Sequence, residues 1–188
     1  MAPPRRQRAA PPLDEKRLNE LALRYVGRFA TTRAKLRSYL QRKVRERGWA
    51  GAGTPDVADI AERFAAQGYV DDAGYALAKS RALTGRGLGA RRVAQALKVA
   101  GVEEADGEAA REHADEQAVA AALCFAERRR IGPFAERASD DPRIRQKALA
   151  AMVRAGHGFA LARAILALPP GAPIDPGELA SDAGIHVS

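Results

Sequence analysis

The side chains of this chain that could do chemistry are its cations, and they recur. From Arg24 to Arg47 there are nine Lys or Arg against one acid, Glu46, and from Ala73 to Lys98 there are six and no acid. Lys35, Arg42 and Arg45 lie opposite an apolar stripe of Leu36, Leu40 and Val44. Arg91, Arg92 and Lys98 lie opposite Val93 and Leu97, and Arg143, Lys147 and Arg154 share an edge beside Ile144. Guanidinium and ammonium groups in rows recognise phosphate and carboxylate. Recurrent rows point to a long polyanion, either a DNA duplex or a nucleoprotein filament. A net charge of +8 and a pI of about 10.1 agree with an acidic or nucleic-acid partner. A solvated helix face is the plainer alternative.

Other chemistry finds little support. His113, His157 and His186 have no partners at ligand spacing, so no metal site and no cofactor are expected. The pairs Asp71-Asp72 and Asp140-Asp141 stand at helix starts, where a carboxylate caps the backbone and meets the positive end of the dipole. Cys124, the single cysteine, lies in an apolar run with no activating neighbour and reads as a small buried hydrophobe in a reducing cytoplasm. Thr84-Gly-Arg-Gly-Leu-Gly89 lacks the Gly-Lys-Ser/Thr ending and the preceding strand of a phosphate loop, and reads as a flexible turn. Tyr25, Tyr39 and Tyr75 continue apolar stripes and read as core. The acidic stretch Glu103 to Glu116 interrupts the basic surface.

The elements that must position these cations are helices. Alanine is abundant, aromatics are 5%, and Pro and Gly cluster in short gaps. Nine helices are predicted. The first runs from about Asp14 to Phe29, with Leu18, Leu21, Ala22, Tyr25 and Phe29 in its stripe. The second starts at Thr31 or Thr32 and ends at Gly48, followed by a linker from Trp49 to Gly53. Thr54-Pro55 starts the third and Gly68 closes it. Asp71 opens the fourth, to about Leu83. The others cover about 90–100, 103–114, 116–130, 142–155 and 159–168. The phrase Gly68-Tyr-Val-Asp-Asp-Ala-Gly-Tyr-Ala76 joins helices three and four through a glycine stop, an apolar fold-back and an Asp cap.

A repeat emerges. Leu40/Val44/Gly48, Val93/Leu97/Gly101 and Ala148/Met152/Gly156 share one spacing, and the glycines are 53 and 55 residues apart (101 − 48 and 156 − 101). That period fits a three-helix module, and small modules need stacked neighbours. The expected architecture is all-α: tandem three-helix repeats in an elongated, curved arrangement. Its parts are a disordered basic arm (1–12), module 1 (13–68), module 2 (69–114), module 3 (115–168) and a loose tail (169–188). The arm has no apolar core and is not a signal peptide, and no run approaches a membrane span.

These residues resemble the RecX family, the regulators of the RecA recombinase. The resemblance covers about Leu18 to Leu168. It rests on the Gly68–Ala76 phrase, on Gly85-Arg-Gly-Leu-Gly-Ala-Arg-Arg-Val-Ala-Gln-Ala-Leu97, on Thr31-Thr-Arg-Ala-Lys-Leu36 and on Arg145-Gln-Lys-Ala-Leu149. It implies tandem three-helix repeats, binding along the groove of the RecA–DNA filament, and inhibition of filament growth, ATP hydrolysis and strand exchange. Two residues are inserted where the family has Arg-Gly-Phe after the eighth helix; this chain has Ala155-Gly-His-Gly-Phe159.

The expected contacts are Arg33, Lys35, Arg37, Arg42, Arg81, Arg86, Arg91, Arg92, Lys98, Arg143 and Lys147. The expected partner is the RecA filament, with DNA phosphates touched directly. The protein is expected to be a non-enzymatic cytoplasmic monomer. The competing reading is a free-standing DNA-binding protein in which helices 32–47 and 55–67 form a helix-turn-helix-like pair. A scaffold with no DNA link is a third class.

Overall fold

The structure, a computed structural model, describes residues 11–138 and 141–185. The expected basic arm therefore lies outside the described residues up to residue 10, as do Asp140 and His186. Ten α-helices are described: α1 (Glu15–Val26), α2 (Arg33–Arg47), α3 (Val57–Ala66), α4 (Asp72–Thr84), α5 (Ala90–Ala100), α6 (Glu108–Glu116), α7 (Ala118–Arg129), α8 (Pro142–Arg154), α9 (Phe159–Ala167) and α10 (Pro176–Asp182). A single 3-10 turn covers Gly132–Phe134. Among the described residues the sole extended pairing is an isolated parallel bridge between Leu13 and Trp49.

The chain divides into two compact units, the first ending at Asp72 and the second beginning at Ala73. The expected boundary between modules 2 and 3 thus falls inside the second unit. The buried apolar side chains form three clusters, supplied by α1–α3, by α4–α6, and by α7–α10.

In the first unit Leu18 and Ala22 of α1, Leu36 and Leu40 of α2, and Val57, Ile60, Ala61 and Phe64 of α3 pack together with Leu13 and Val70. Asp14 caps α1 by accepting the Arg17 N–H at 2.8 Å, and Thr32 caps α2 by accepting that of Lys35 at 3.2 Å. The third helix starts later than predicted. Asp56 accepts the Asp59 N–H at 2.9 Å and takes the capping role assigned to Thr54. The Trp49–Gly53 linker is anchored at its start, where Leu13 N–H donates to Gly48 and Ala50 N–H donates to Leu13. Phe29 leaves the predicted stripe, since α1 stops at Val26 and the residue is 56% exposed. Val70 does fold back, its N–H reaching the Phe64 carbonyl.

In the second unit the glycine-rich α4–α5 connection is held rather than flexible. Gly89 N–H donates to Ala155 O at 3.0 Å, and Arg91 N–H donates to Gly156 O at 3.3 Å. A Cβ on Gly89 would stand 2.4 Å from the Gly156 oxygen, so two backbones touch there. Ile144, beside the basic edge of α8, is exposed; steps of four residues drift by about 40° each, and of Ile144, Ala148 and Met152 only Met152 is fully buried. The tail is not loose. Asp175 caps α10, Leu179 and Ala180 are buried, and Gly171 N–H donates to Pro133 O. The Pro and Gly content there builds turns around a short apolar segment.

Candidate functional site

α2 carries four of the expected contacts. Arg33 is its first residue and turns inward. Its Nη1 lies 3.2 Å from Glu62 Oε2 and its Nε 3.4 Å from Asp72 Oδ2. Burial works against the Arg33 charge, but hydrogen bonds and attraction from Glu62 and Asp72 outweigh it, so the guanidinium holds its proton more tightly than usual. Arg33 is thus tied up in internal ion pairs. Lys35 is half-buried, while Arg37 is exposed. Arg42 is exposed and lies 3.6 Å from Glu46, seven residues and about two turns beyond Lys35. Lys43 donates to the same carboxylate at 2.6 Å and holds it below its usual range.

The second unit carries the remaining seven, all exposed. Arg81 stands in the last turn of α4 and Arg86 on the connection to α5. Arg91 and Arg92 open α5, and Lys98 shares the Arg91 face two turns on. Arg92 donates to Gln95 at 2.7 Å. Arg143 and Lys147 lie one turn apart on α8. No carboxylate among the described residues pairs with Arg37, Arg81, Arg86, Arg91, Lys98, Arg143 or Lys147. The ion pairs of the surface include those of Arg17, Arg24, Arg42, Lys43, Arg63, Arg111 and Arg130. Most of the cations singled out by their repeat thus have no carboxylate partner among the described residues.

The Gly89–Gly156 contact brings the start of α5 to the end of α8, so Arg91 and Arg92 stand beside the α8–α9 turn. His157 fastens this joint. It is 2% exposed, its Nε2 lies 3.1 Å from the Gly87 carbonyl, and its ring leans on Phe125 at 5.5 Å. A carbonyl only accepts, so Nε2 carries the proton. Burial pushes the His157 pKa down, against the upward pull of the Gly87 bond. Sequence reasoning missed this role, because the partner is a backbone oxygen seventy residues away. It also missed a cleft of about 600 Å³ beside α8 and α9, with Arg130, Arg137 and Arg145 among its lining.

No cluster of His, Cys, Asp or Glu among the described residues could hold a metal ion. No helix among them is long and apolar enough to cross a membrane.

No family model matches the chain. A curated relative, "Regulatory protein RecX" of Myxococcus xanthus (strain DK1622), is 29% identical over 159 residues, covering 79% of this chain and 83% of the relative. The crystal structure of RecX from Lactobacillus salivarius superposes with a TM-score of 0.58 at 16% identity, covering 81% of this chain and 94% of that one; this likeness concerns the fold. In sequence and in all-helical fold this chain is thus similar to RecX proteins, in line with the resemblance carried by the Gly68–Ala76 phrase.

Proposed function

We propose that this protein is a RecX-type regulator that binds the RecA–DNA filament and inhibits it, restraining filament growth, ATP hydrolysis and strand exchange and so modulating recombinational repair in the cytoplasm. The observation that carries this is the set of exposed cations on α2, α4, α5 and α8 and on the α4–α5 connection, most of them without a carboxylate partner among the described residues. Arg37, Arg42, Arg81, Arg86, Arg91, Arg92, Lys98, Arg143 and Lys147, with the half-buried Lys35, are the proposed contacts. Arg33 sets the local geometry instead. Modest contacts repeated along a polymer sum by multivalency, so binding as a monomer without chemistry is enough to hold a filament. The cations meet acidic protein surface and DNA phosphates alike.

The helix-turn-helix reading is less well supported. That motif joins its helices by a turn of three or four residues, whereas α2 and α3 are connected through Gly48–Asp56. The deciding measurement is RecA-dependent ATP hydrolysis on single-stranded DNA, titrated with this protein. Hydrolysis should fall, and the pooled substitution Arg91→Glu with Arg92→Glu should weaken the effect. Unchanged hydrolysis at stoichiometric excess rejects the proposal. A salt-sensitive shift of naked duplex with no effect on RecA favours the alternative.

A further inference from the structure

The first unit carries an aromatic column that the cationic rows do not explain. Tyr25 of α1 and Tyr39 of α2 stack with centroids 4.2 Å apart and planes 13° from parallel. Phe29, just beyond α1, sits against Tyr25 at 5.5 Å while the residue remains 56% exposed. At the other end Arg42 and Lys43 lie 5.7 and 5.9 Å from the Tyr39 centroid. Their one shared carboxylate, Glu46, leaves an excess of positive charge. Arg28, next to Phe29, is exposed as well.

We infer that Phe29, Tyr25 and Tyr39, flanked by Arg28, Arg42 and Lys43, form a stacking site for single-stranded nucleic acid. An unpaired base presents a flat apolar face to Phe29, while its backbone phosphates meet the neighbouring cations. A duplex keeps its base faces inside its own stack and cannot use an open ring in this way. An acidic peptide would use the cations but has no need of the flat face. Tyr39 is held between Tyr25 and two cations, so the column is ordered before a strand arrives and little freedom is lost on binding. This site needs no RecA, and it goes beyond the filament reading by naming unpaired bases as a ligand.

The test is fluorescence anisotropy with labelled oligo(dT), oligo(rU), a base-free strand of equal length and a duplex, all without RecA. Oligo(dT) or oligo(rU) binds in preference to the base-free strand and the duplex, and comparing the first two assigns the source as DNA or RNA. Phe29→Leu keeps the apolar contact with Tyr25 but removes the flat face; it weakens oligonucleotide binding by about tenfold. Phe29→Trp retains binding, and its added indole emission is quenched by the strand. Unchanged affinity in Phe29→Leu, or equal binding of the base-free strand, overturns the inference. Neither result touches RecA inhibition, which the hydrolysis assay reads separately.

Discussion

The Asp72 carboxylate caps α2: its Oδ1 accepts the backbone N–H of Arg33 at 2.9 Å, and its Oδ2 faces the Arg33 Nε at 3.4 Å. The Thr32 hydroxyl satisfies the N–H of Lys35 two positions on. Two of the four free donors at the start of α2 are thus met, one by a carboxylate distant in sequence. Asp72→Ala leaves the Arg33 N–H and guanidinium without this partner. It should cost about 1–3 kcal/mol in urea unfolding. Asp72→Asn keeps an acceptor and should cost less.

Arg33 and Arg37 stand one turn apart on α2 and should behave oppositely. Arg33→Ala breaks the pairs with Glu62 and Asp72 and should lower stability by about 1–3 kcal/mol. Arg37→Ala should stay within about 0.5 kcal/mol of the parent, because its side chain is exposed. Inhibition of RecA hydrolysis should be weakened by Arg37→Ala, so that more protein is needed for the same effect. Comparing unfolding with inhibition for both variants separates the two roles.

The joint between the α4–α5 connection and the α8–α9 turn should be intolerant of a single methyl. Gly89→Ala drives a Cβ into the Gly156 carbonyl and should cost about 1–3 kcal/mol. Gly158→Ala meets nothing within 4 Å and should be nearly neutral on steric grounds. Thermal unfolding of the two variants side by side is the check.

His157 makes this joint sensitive to acid. Burial lowers its folded-state pKa below the unfolded value, so the unfolded chain binds the extra proton more readily. Its contribution is fully present above the unfolded value of about 6.5 and is lost as pH falls below that value toward the lower folded one. Melting temperature should drop more steeply from pH 7 to pH 5 in the parent than in His157→Gln. The glutamine amide can still donate to Gly87 but does not titrate. Parallel pH profiles would refute this.

Helix identity was legible because each stop and start is local. Gly48 and Gly101 end α2 and α5 with positive φ, and Thr32 caps its helix as read. Two of the errors share a physical origin: the deciding partner is remote. Asp72 was read as serving the helix it begins, and the Thr84–Gly89 segment as flexible, because neither Arg33 nor the Ala155–His157 backbone is adjacent in sequence. The tail was misread because its Pro and Gly residues drew the reading away from Ile174, Leu179, Ala180, Ala183 and Ile185, which pack into or against the core. The repeated cations were visible as a pattern, yet only coordinates separate Arg33, consumed inside the fold, from Arg91 and Lys98.

The two glycines of the joint are not equivalent. Gly156 has φ +98 and needs its freedom for its own backbone, whereas Gly89 has φ −81, a conformation any residue adopts. Position 89 is bare solely for the benefit of the carbonyl facing it. A side chain gained there would oblige the α8–α9 turn to be rebuilt around it.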